Sequence, residues 1–270
     1  MKKITVGKLI AEGRTSEVYA IDDDWVLKLF YGWYPADWIS HEVAVAEIVA
    51  SLPLQTPRII GTHVCKGRQG IVYERVNGPN MLKRFTQKPW LVSRFARLFA
   101  ELQTEIHKQE VSGLPSHRES LMGVIEQLDD FPRELKSRVL DLISALPDGN
   151  TLCHDDFHPD QVVFTDKGPV IIDWMTAKQG HPLGDVARTC IILKFGQSPY
   201  AGWVMRMLTN IWREFFYQAY LSRYLALHPG VTRNAIYDWM VPAAAGRLNE
   251  KIPGERKSLL RFIRSHLKGN

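Results

Sequence analysis

Three cysteines in 270 residues, Cys65, Cys153 and Cys190, are too few and too widely spaced to form a disulfide framework or a zinc knuckle. They are read as reduced thiols. No uninterrupted apolar run of about 18 residues occurs, so no membrane-spanning helix is expected. The N-terminal Lys2-Lys3 pair leads into Thr5, Gly7 and Lys8 rather than into the apolar core of a signal peptide, and a cytoplasmic location follows as the expectation. Internal repeats, low-complexity tracts and long linkers are missing. So is Gly-x-x-x-x-Gly-Lys-Ser/Thr, which argues against a P-loop nucleotide site; Gly254-Glu255-Arg256-Lys257-Ser258 lacks the required spacing. What the chain does have is 45% hydrophobic residues, enough for a large domain or two packed lobes, and a net charge of +5. That excess suits an anionic partner, nucleotide phosphate or nucleic acid.

From Ile4 to Val76 short segments rich in β-branched and aromatic residues recur, among them Val18 to Ile21, Val26 to Phe30 and Gly70 to Tyr73. One helical stretch, from about Ser40 to Leu52, interrupts them. This pattern predicts a small antiparallel sheet carrying one helix. Asn77-Gly78-Pro79 then gives a turn, and from about Met81 the apolar residues follow helical spacing, so a boundary near residue 78 separates an N-terminal lobe (1–78) from a helical C-terminal lobe (79–270). The exception is a hairpin, Val162 to Phe164 and Val170 to Ile172, joined by Thr165 to Pro169. Antiparallel pairing puts Gln161, just before its first strand, beside Asp173, just after its second.

The densest polar stretch, His154-Asp155-Asp156-Phe157-His158-Pro159-Asp160-Gln161, stands immediately before that hairpin. A metal site and a turn held by side-chain hydrogen bonds are both open readings of such a cluster. Asp156, Gln161 and Asp173 offer what phosphoryl transfer requires: a carboxylate to position the attacking hydroxyl and hard oxygen donors for Mg²⁺.

His154-x-Asp156, with Gln161 five residues after the aspartate and Asp173 beyond it, resembles the aminoglycoside phosphotransferase and choline kinase-like family of the protein-kinase-like fold. The family's usual reading is His-Gly-Asp-Leu-His-Pro-Gly-Asn followed by Ile-Asp-Trp. The resemblance implies an α+β, two-lobed fold, Asp156 as the catalytic carboxylate, and Asp173 and Gln161 as metal ligands. Asp185 matches an acidic residue that braces the catalytic loop, and His158 lines the acceptor mouth. Asp155 stands where the family usually has Gly, and Gln161 where it has Asn.

The N-terminal segment agrees. Ile10 to Val18 has the spacing of a kinase phosphate-covering loop, with Gly13 alone of its glycines and small Ala11 and Ser16 at the others. Lys28, in the strand Val26 to Phe30, corresponds to the lysine that holds the α- and β-phosphates, and Glu42, with Glu47 as reserve, to its helical partner. Ile71 to Gly78 resembles the strand-to-linker passage that binds adenine, with the Glu74 carbonyl and Val76 N–H as contacts and Val18 and Val26 enclosing the purine. ATP and Mg²⁺ are the implied cofactors.

No Ala-Pro-Glu signature follows Asp173, which favours a small hydroxylated acceptor over a peptide. After Asp185 there are four acidic residues, Glu214, Asp238, Glu250 and Glu255, against thirteen lysines and arginines, so a neutral or anionic acceptor is expected rather than a polycationic aminoglycoside. An aromatic stripe, Trp203, Trp212, Phe215, Phe216, Tyr217 and Tyr220, reads as core. Lys257, Arg261, Arg264 and Lys268 read as a solvated helix face rather than a nucleic-acid site. Two other functions remain open: a kinase-like nucleotide-binding protein without turnover, and a protein kinase.

Overall fold

Short runs of β-branched and aromatic residues within the first 74 residues build a five-stranded antiparallel sheet. The computed structural model describes residues 6–196 and 203–267, without the side chains of 203–210. The strands β1 (Leu9–Glu12), β2 (Ser16–Ala20), β3 (Trp25–Phe30), β4 (Ile59–Cys65) and β5 (Arg68–Glu74) lie in the order β1-β2-β3-β5-β4. Period-two alternation gives the sheet two apolar faces. Leu27, Leu29 and Val72 pack with Tyr19 and Trp25 on one. Phe30 and Ile71 pack with Ile39, Tyr34 and Val43 on the other, where α1 (Ala36–Ala50) lies. Each fully buried side chain of this size contributes about 1.5–3 kcal/mol.

The helix α1 begins four residues before the expected Ser40, because Pro35, at φ −64° and ψ 138°, supplies an extended N-cap and Asp37 an acidic first turn. It ends at Ala50 rather than Leu52, which precedes Pro53 and is disfavoured in helical conformation.

By its contacts the chain divides into two compact units: Met1–Arg84 with Asp160–Met175, and Phe85–Pro159 with Thr176–Asn270. The hairpin β7 (Val162–Thr165) and β8 (Gly168–Ile171) belongs to the first. Its strands are longer and its turn tighter than the sequence suggested. Thr165 Oγ1 accepts the Lys167 N–H at 3.1 Å and donates to the Gly168 carbonyl at 2.9 Å, closing a two-residue turn. Pro169 sits within β8 opposite Phe164, whose N–H points outward to the Pro79 carbonyl at 3.0 Å, so the missing proline donor costs no ladder bond. Gly78, at φ +155°, passes so close to this hairpin that a Cβ would lie 1.9 Å from the Phe164 carbonyl oxygen. Only glycine fits there.

The helix α2 (Met81–Gln87) runs across the division, and the second unit contains α3 (Val92–His107), α4 (His117–Glu126), α5 (Arg133–Ala145), α6 (Pro182–Phe195), α7 (Trp203–Leu227), α8 (Arg233–Arg247) and α9 (Arg256–Leu267). It also holds a second two-stranded sheet, β6 (Thr151–Cys153) with β9 (Lys178–Gly180), so the hairpin is not the only strand pair after residue 78. Three-residue strands are too short to show a period. The helix pairs α3/α7 and α6/α8 make the largest packing interfaces of the unit. Of the aromatic stripe, Phe216, Tyr217 and Tyr220 are buried core and Phe215 is exposed, while the Trp203 side chain lies outside the described residues. On α9, Leu259 and Ile263 face inward and Lys257, Arg261 and Arg264 are exposed; Lys268 and, among the basic residues before it, the Arg206 side chain lie outside the described residues.

Candidate active site

In the first unit the site starts from strand register. Val18 pairs with Lys28 across β2 and β3, Lys28 with Ile71 and Val26 with Tyr73 across β3 and β5, so these side chains share the face toward α1. Lys28 Nζ donates to Glu42 Oε1 at 2.7 Å and lies 3.6 Å from Asp173 Oδ1. Glu47 is not its partner. Tyr73 donates its phenolic O–H to the same Glu42 oxygen at 3.0 Å. Burial works against the Lys28 ammonium, but Glu42 and Asp173 outweigh it and raise the lysine above its ordinary pKa.

At the open end of the hairpin the Ile172 N–H donates to the Gln161 carbonyl at 2.9 Å, and Gln161 Nε2 donates to Asp173 Oδ2 at 3.4 Å. Asp173 has a left-handed backbone, φ +63°, which turns its carboxylate out of the strand direction and leaves it 41% exposed. Gly13 closes the β1–β2 turn through its N–H to the Ser16 carbonyl at 2.9 Å, and a Cβ there would meet nothing nearer than 3.5 Å. Ser16 is buried beside it. Glu74 ends β5 with its carboxylate held by Arg58 Nε at 2.9 Å, and Val76 follows two residues on.

In the second unit the polar loop is pinned at the backbone of His154, Asp155 and Phe157. Thr176 Oγ1 donates to the His154 carbonyl at 3.0 Å, Arg188 Nε to the Asp155 carbonyl at 3.1 Å, and Thr189 Oγ1 to the Phe157 carbonyl at 3.1 Å. The Phe157 ring stacks on Phe99 with centroids 4.1 Å apart. Asp155 has φ +61°, and this explains why a glycine is usual at that point of the motif. Aspartate tolerates the left-handed region better than most residues, and its side chain is engaged: Lys178 donates to Oδ2 and His117 Nε2 lies 3.2 Å from Oδ1. Burial opposes the Asp155 charge, but Lys178, His117 and Arg188 overcome it and hold this carboxyl far below the usual carboxylate range.

Asp185, fully buried, accepts the Asp155 N–H at 2.7 Å and Gln103 Nε2 at 2.8 Å, with His107 Nε2 at 3.0 Å. It braces the loop backbone. Asp156 differs: Arg188 Nη2 is 3.9 Å from Oδ1, His158 Nε2 is 3.7 Å from Oδ2, and the side chain is 32% exposed. Burial raises its pKa, yet His158, Arg188 and His154 bring the net value below the ordinary one, so it is an ionised carboxylate at neutral pH.

Sequence reasoning missed Arg188, Lys178, His117 and Tyr73. Arg188 was within reach of it, being three residues after Asp185 and therefore on the same face of a helix. Arg188 also pairs with Glu250, which Arg247 Nη1 holds at 2.7 Å, and Arg247 Nε in turn bonds Glu255 at 2.9 Å. Two of the cations counted after Asp185, Arg188 and Arg247, are thus paired with two of the four acids counted there, Glu250 and Glu255.

Among the described residues no group of three or more His, Cys, Asp or Glu side chains is arranged to hold a metal ion. Two oxygen donors on one unit suit Mg²⁺ nonetheless, because that ion takes one or two protein ligands and completes its shell with phosphate and water. The Gln161 amide nitrogen donates to Asp173, and the amide would have to rotate on binding so that its oxygen faced the ion.

The model of the phosphotransferase enzyme family matches residues 6–233. The chain belongs to this family. The matched span contains Lys28, Glu42, Asp156, Gln161 and Asp173 together. No curated protein matches it in sequence. Solved structures share its fold, which is that of the protein-kinase-like phosphotransferases. ADP-bound aminoglycoside phosphotransferase APH(2'')-Ib is 14% identical, with a TM-score of 0.58 over 97% of this chain and 92% of that one. A thermostable mutant of aminoglycoside phosphotransferase APH(4)-Ia, in a ternary complex with AMP-PNP and hygromycin B, is 16% identical, with a TM-score of 0.61 over 95% and 88%. A choline kinase from Cryptosporidium parvum Iowa II is 12% identical, with a TM-score of 0.54 over 97% and 88%. Identities this low establish the fold and leave the substrate open. No helix among the described residues is long and apolar enough to cross a membrane.

Proposed function

We propose that this family member is an ATP- and Mg²⁺-dependent phosphotransferase that moves the γ-phosphoryl group to a hydroxyl of a small molecule. The Lys28–Glu42 pair at 2.7 Å, with Asp173 on the same lysine at 3.6 Å, is the observation that carries this reading. A buried ion pair is costly to assemble, and its lysine keeps a charge available for phosphate. Val18 and Val26 enclose the adenine, the Glu74 carbonyl and Val76 N–H bond its edge, and the turn at Gly13 and Ser16 covers the phosphates. Asp173 and Gln161 would hold Mg²⁺, which neutralises charge on the transferring group when bound.

Asp156 aligns the acceptor hydroxyl and takes its proton. The hydroxyl oxygen bonds the γ-phosphorus in line as the bond to the bridging oxygen breaks, ADP leaves, and the proton passes from Asp156 to solvent. The pinned backbone from His154 to Phe157 supports this role: it fixes the carboxylate's origin while leaving its oxygens 3.7 and 3.9 Å from their neighbours. His158 stands at the acceptor side of Asp156. With Arg188 and His158 both facing that carboxylate, a neutral or anionic acceptor is favoured over a polycation.

The test is ADP production by purified protein with Mg²⁺ across hydroxylated metabolites, sugars and aminoglycosides. Acceptor-dependent ADP release that vanishes on chelation supports the reading. ATP binding without ADP release on any acceptor would turn the assignment to a nucleotide-binding protein without turnover, the alternative that Gln161 in place of Asn keeps in view.

A further inference from the structure

Glu42 on α1 is 4% exposed and directs one carboxylate oxygen, Oε1, to two donors: Lys28 Nζ at 2.7 Å and the Tyr73 hydroxyl at 3.0 Å. Its other oxygen, Oε2, is buried and has no hydrogen-bond partner among the described residues. Packing of Ile39, Val45 and Val49 fixes where α1 lies, but not the rotamer of a side chain with three rotatable bonds. The carboxylate orientation therefore depends on its two donors. One of them, Lys28, is the group whose position is at issue. Tyr73 is the other, and it stands on a strand inside the sheet, opposite Val26.

We propose that Tyr73 is a positioning residue for nucleotide binding: its hydroxyl anchors Glu42 to β5, and Glu42 so anchored holds Lys28 where the nucleotide phosphates bind. The proposal rests on the functional reading above and assigns a role that the reading does not use. Its consequence is a mechanical coupling. The strand that braces the phosphate-binding lysine at Tyr73 is the strand that ends, one residue later, at Glu74 and leads to Val76, the adenine contacts. Base recognition and phosphate recognition are then set by one piece of backbone.

Burial and the neighbouring Glu42 carboxylate push the Tyr73 phenol well above its ordinary pKa, so it stays a donor throughout the physiological range. The ring itself packs with Phe30, Ile39 and Ile71. Tyr73→Phe keeps that packing and removes only the donor, which separates positioning from core filling.

The experiment is calorimetric titration of Mg·ATP into wild type, Tyr73→Phe, Glu42→Gln and the double variant, with thermal melts of each apoprotein. Loss of a hydrogen bond to a charged group predicts a rise in Kd of roughly five- to tenfold for Tyr73→Phe. The double variant is expected to bind no more weakly than Glu42→Gln alone, because Tyr73 acts through Glu42. Wild-type affinity in Tyr73→Phe would overturn the proposal while leaving the functional reading intact, and so would losses that simply add in the double variant. A lowered melting temperature with unchanged Kd would reduce Tyr73 to a structural residue. Absence of Mg·ATP binding by the wild type would overturn the functional reading and this proposal with it.

Discussion

The two acidic residues assigned to the chemistry are held in opposite ways. Asp173, in the first unit, is 41% exposed, touches Lys28 at 3.6 Å and Gln161 at 3.4 Å, and owes its direction to a left-handed backbone at the end of a two-stranded hairpin. Asp156, in the second, sits on a loop whose backbone is bonded at His154, Asp155 and Phe157 to side chains of the surrounding helices and turns. A group that binds a mobile ion and phosphate gains from local freedom, whereas one that aligns a hydroxyl for in-line attack needs a fixed origin. The polar network around Asp156 serves position; the few contacts of Asp173 serve availability.

If that contrast is right, variants of the two regions should separate activity from stability. The largest effect is expected from Asp156→Asn, a fall in turnover of about 10²–10⁴-fold, the usual range for a lost general base, with Mg·ATP affinity unchanged. Turnover and ATP titration on the same preparation check this. Next is Asp185→Ala, which leaves His107, Gln103 and the Asp155 N–H without their buried acceptor and should destabilise the fold by about 3–5 kcal/mol in urea denaturation.

The charge state of that network also has a pH signature. Asp155 and Asp185 both titrate below the ordinary carboxylate range in the folded protein. Their contribution to stability is therefore complete above the unfolded value, about 4, and is lost as pH falls through the lowered folded values. Asp155→Asn should flatten the acid side of the stability profile relative to wild type. An unchanged acid slope would mean that the carboxylate carries no stabilising charge.

Lys28→Met, in the first unit, is expected to raise the Kd for Mg·ATP on the order of tenfold and also to lower the melting temperature, because it leaves the buried Glu42 carboxylate without its cation. An effect of similar size is expected from Asp155→Gly, which restores the family's usual residue. Relief of the left-handed backbone recovers about 1–2 kcal/mol, against the loss of the contacts to Lys178 and His117. A net destabilisation of about 1–3 kcal/mol in denaturant titration would show that the side chain has taken over a bracing task.

The legible and illegible parts of the molecule divide along the range of the interactions involved. The antiparallel sheet was visible at β2, β3 and β5 because runs of β-branched and aromatic residues are local, whereas β1 and β4 did not stand out, and the loop from His154 to Gln161 was visible because its polar residues are adjacent. The Gln161–Asp173 meeting followed from hairpin geometry across a short turn. By contrast Tyr73 reaches Glu42 across 31 residues, and Lys178 and His117 reach Asp155 from two separate elements. Such contacts are set by register and packing that no window of sequence contains. The helix α1 was displaced from its expected start because apolar periodicity says little about a proline cap, and β6 and β9 were too short to announce themselves. The strand β8 extends back through Pro169 and Gly168, whose residue types mark a turn, because the proline nitrogen faces away from β7.

One measurement bears on phosphoryl transfer itself: following γ-labelled ATP into acceptor in the presence of Mg²⁺, in wild type and in Asp156→Asn. Label appearing covalently on a small hydroxylated acceptor with wild type, and not with Asp156→Asn at equal nucleotide occupancy, is the predicted result. Label transfer undiminished in Asp156→Asn would remove Asp156 from the reaction, and label found on polypeptide instead of any small molecule would contradict the assignment of the acceptor.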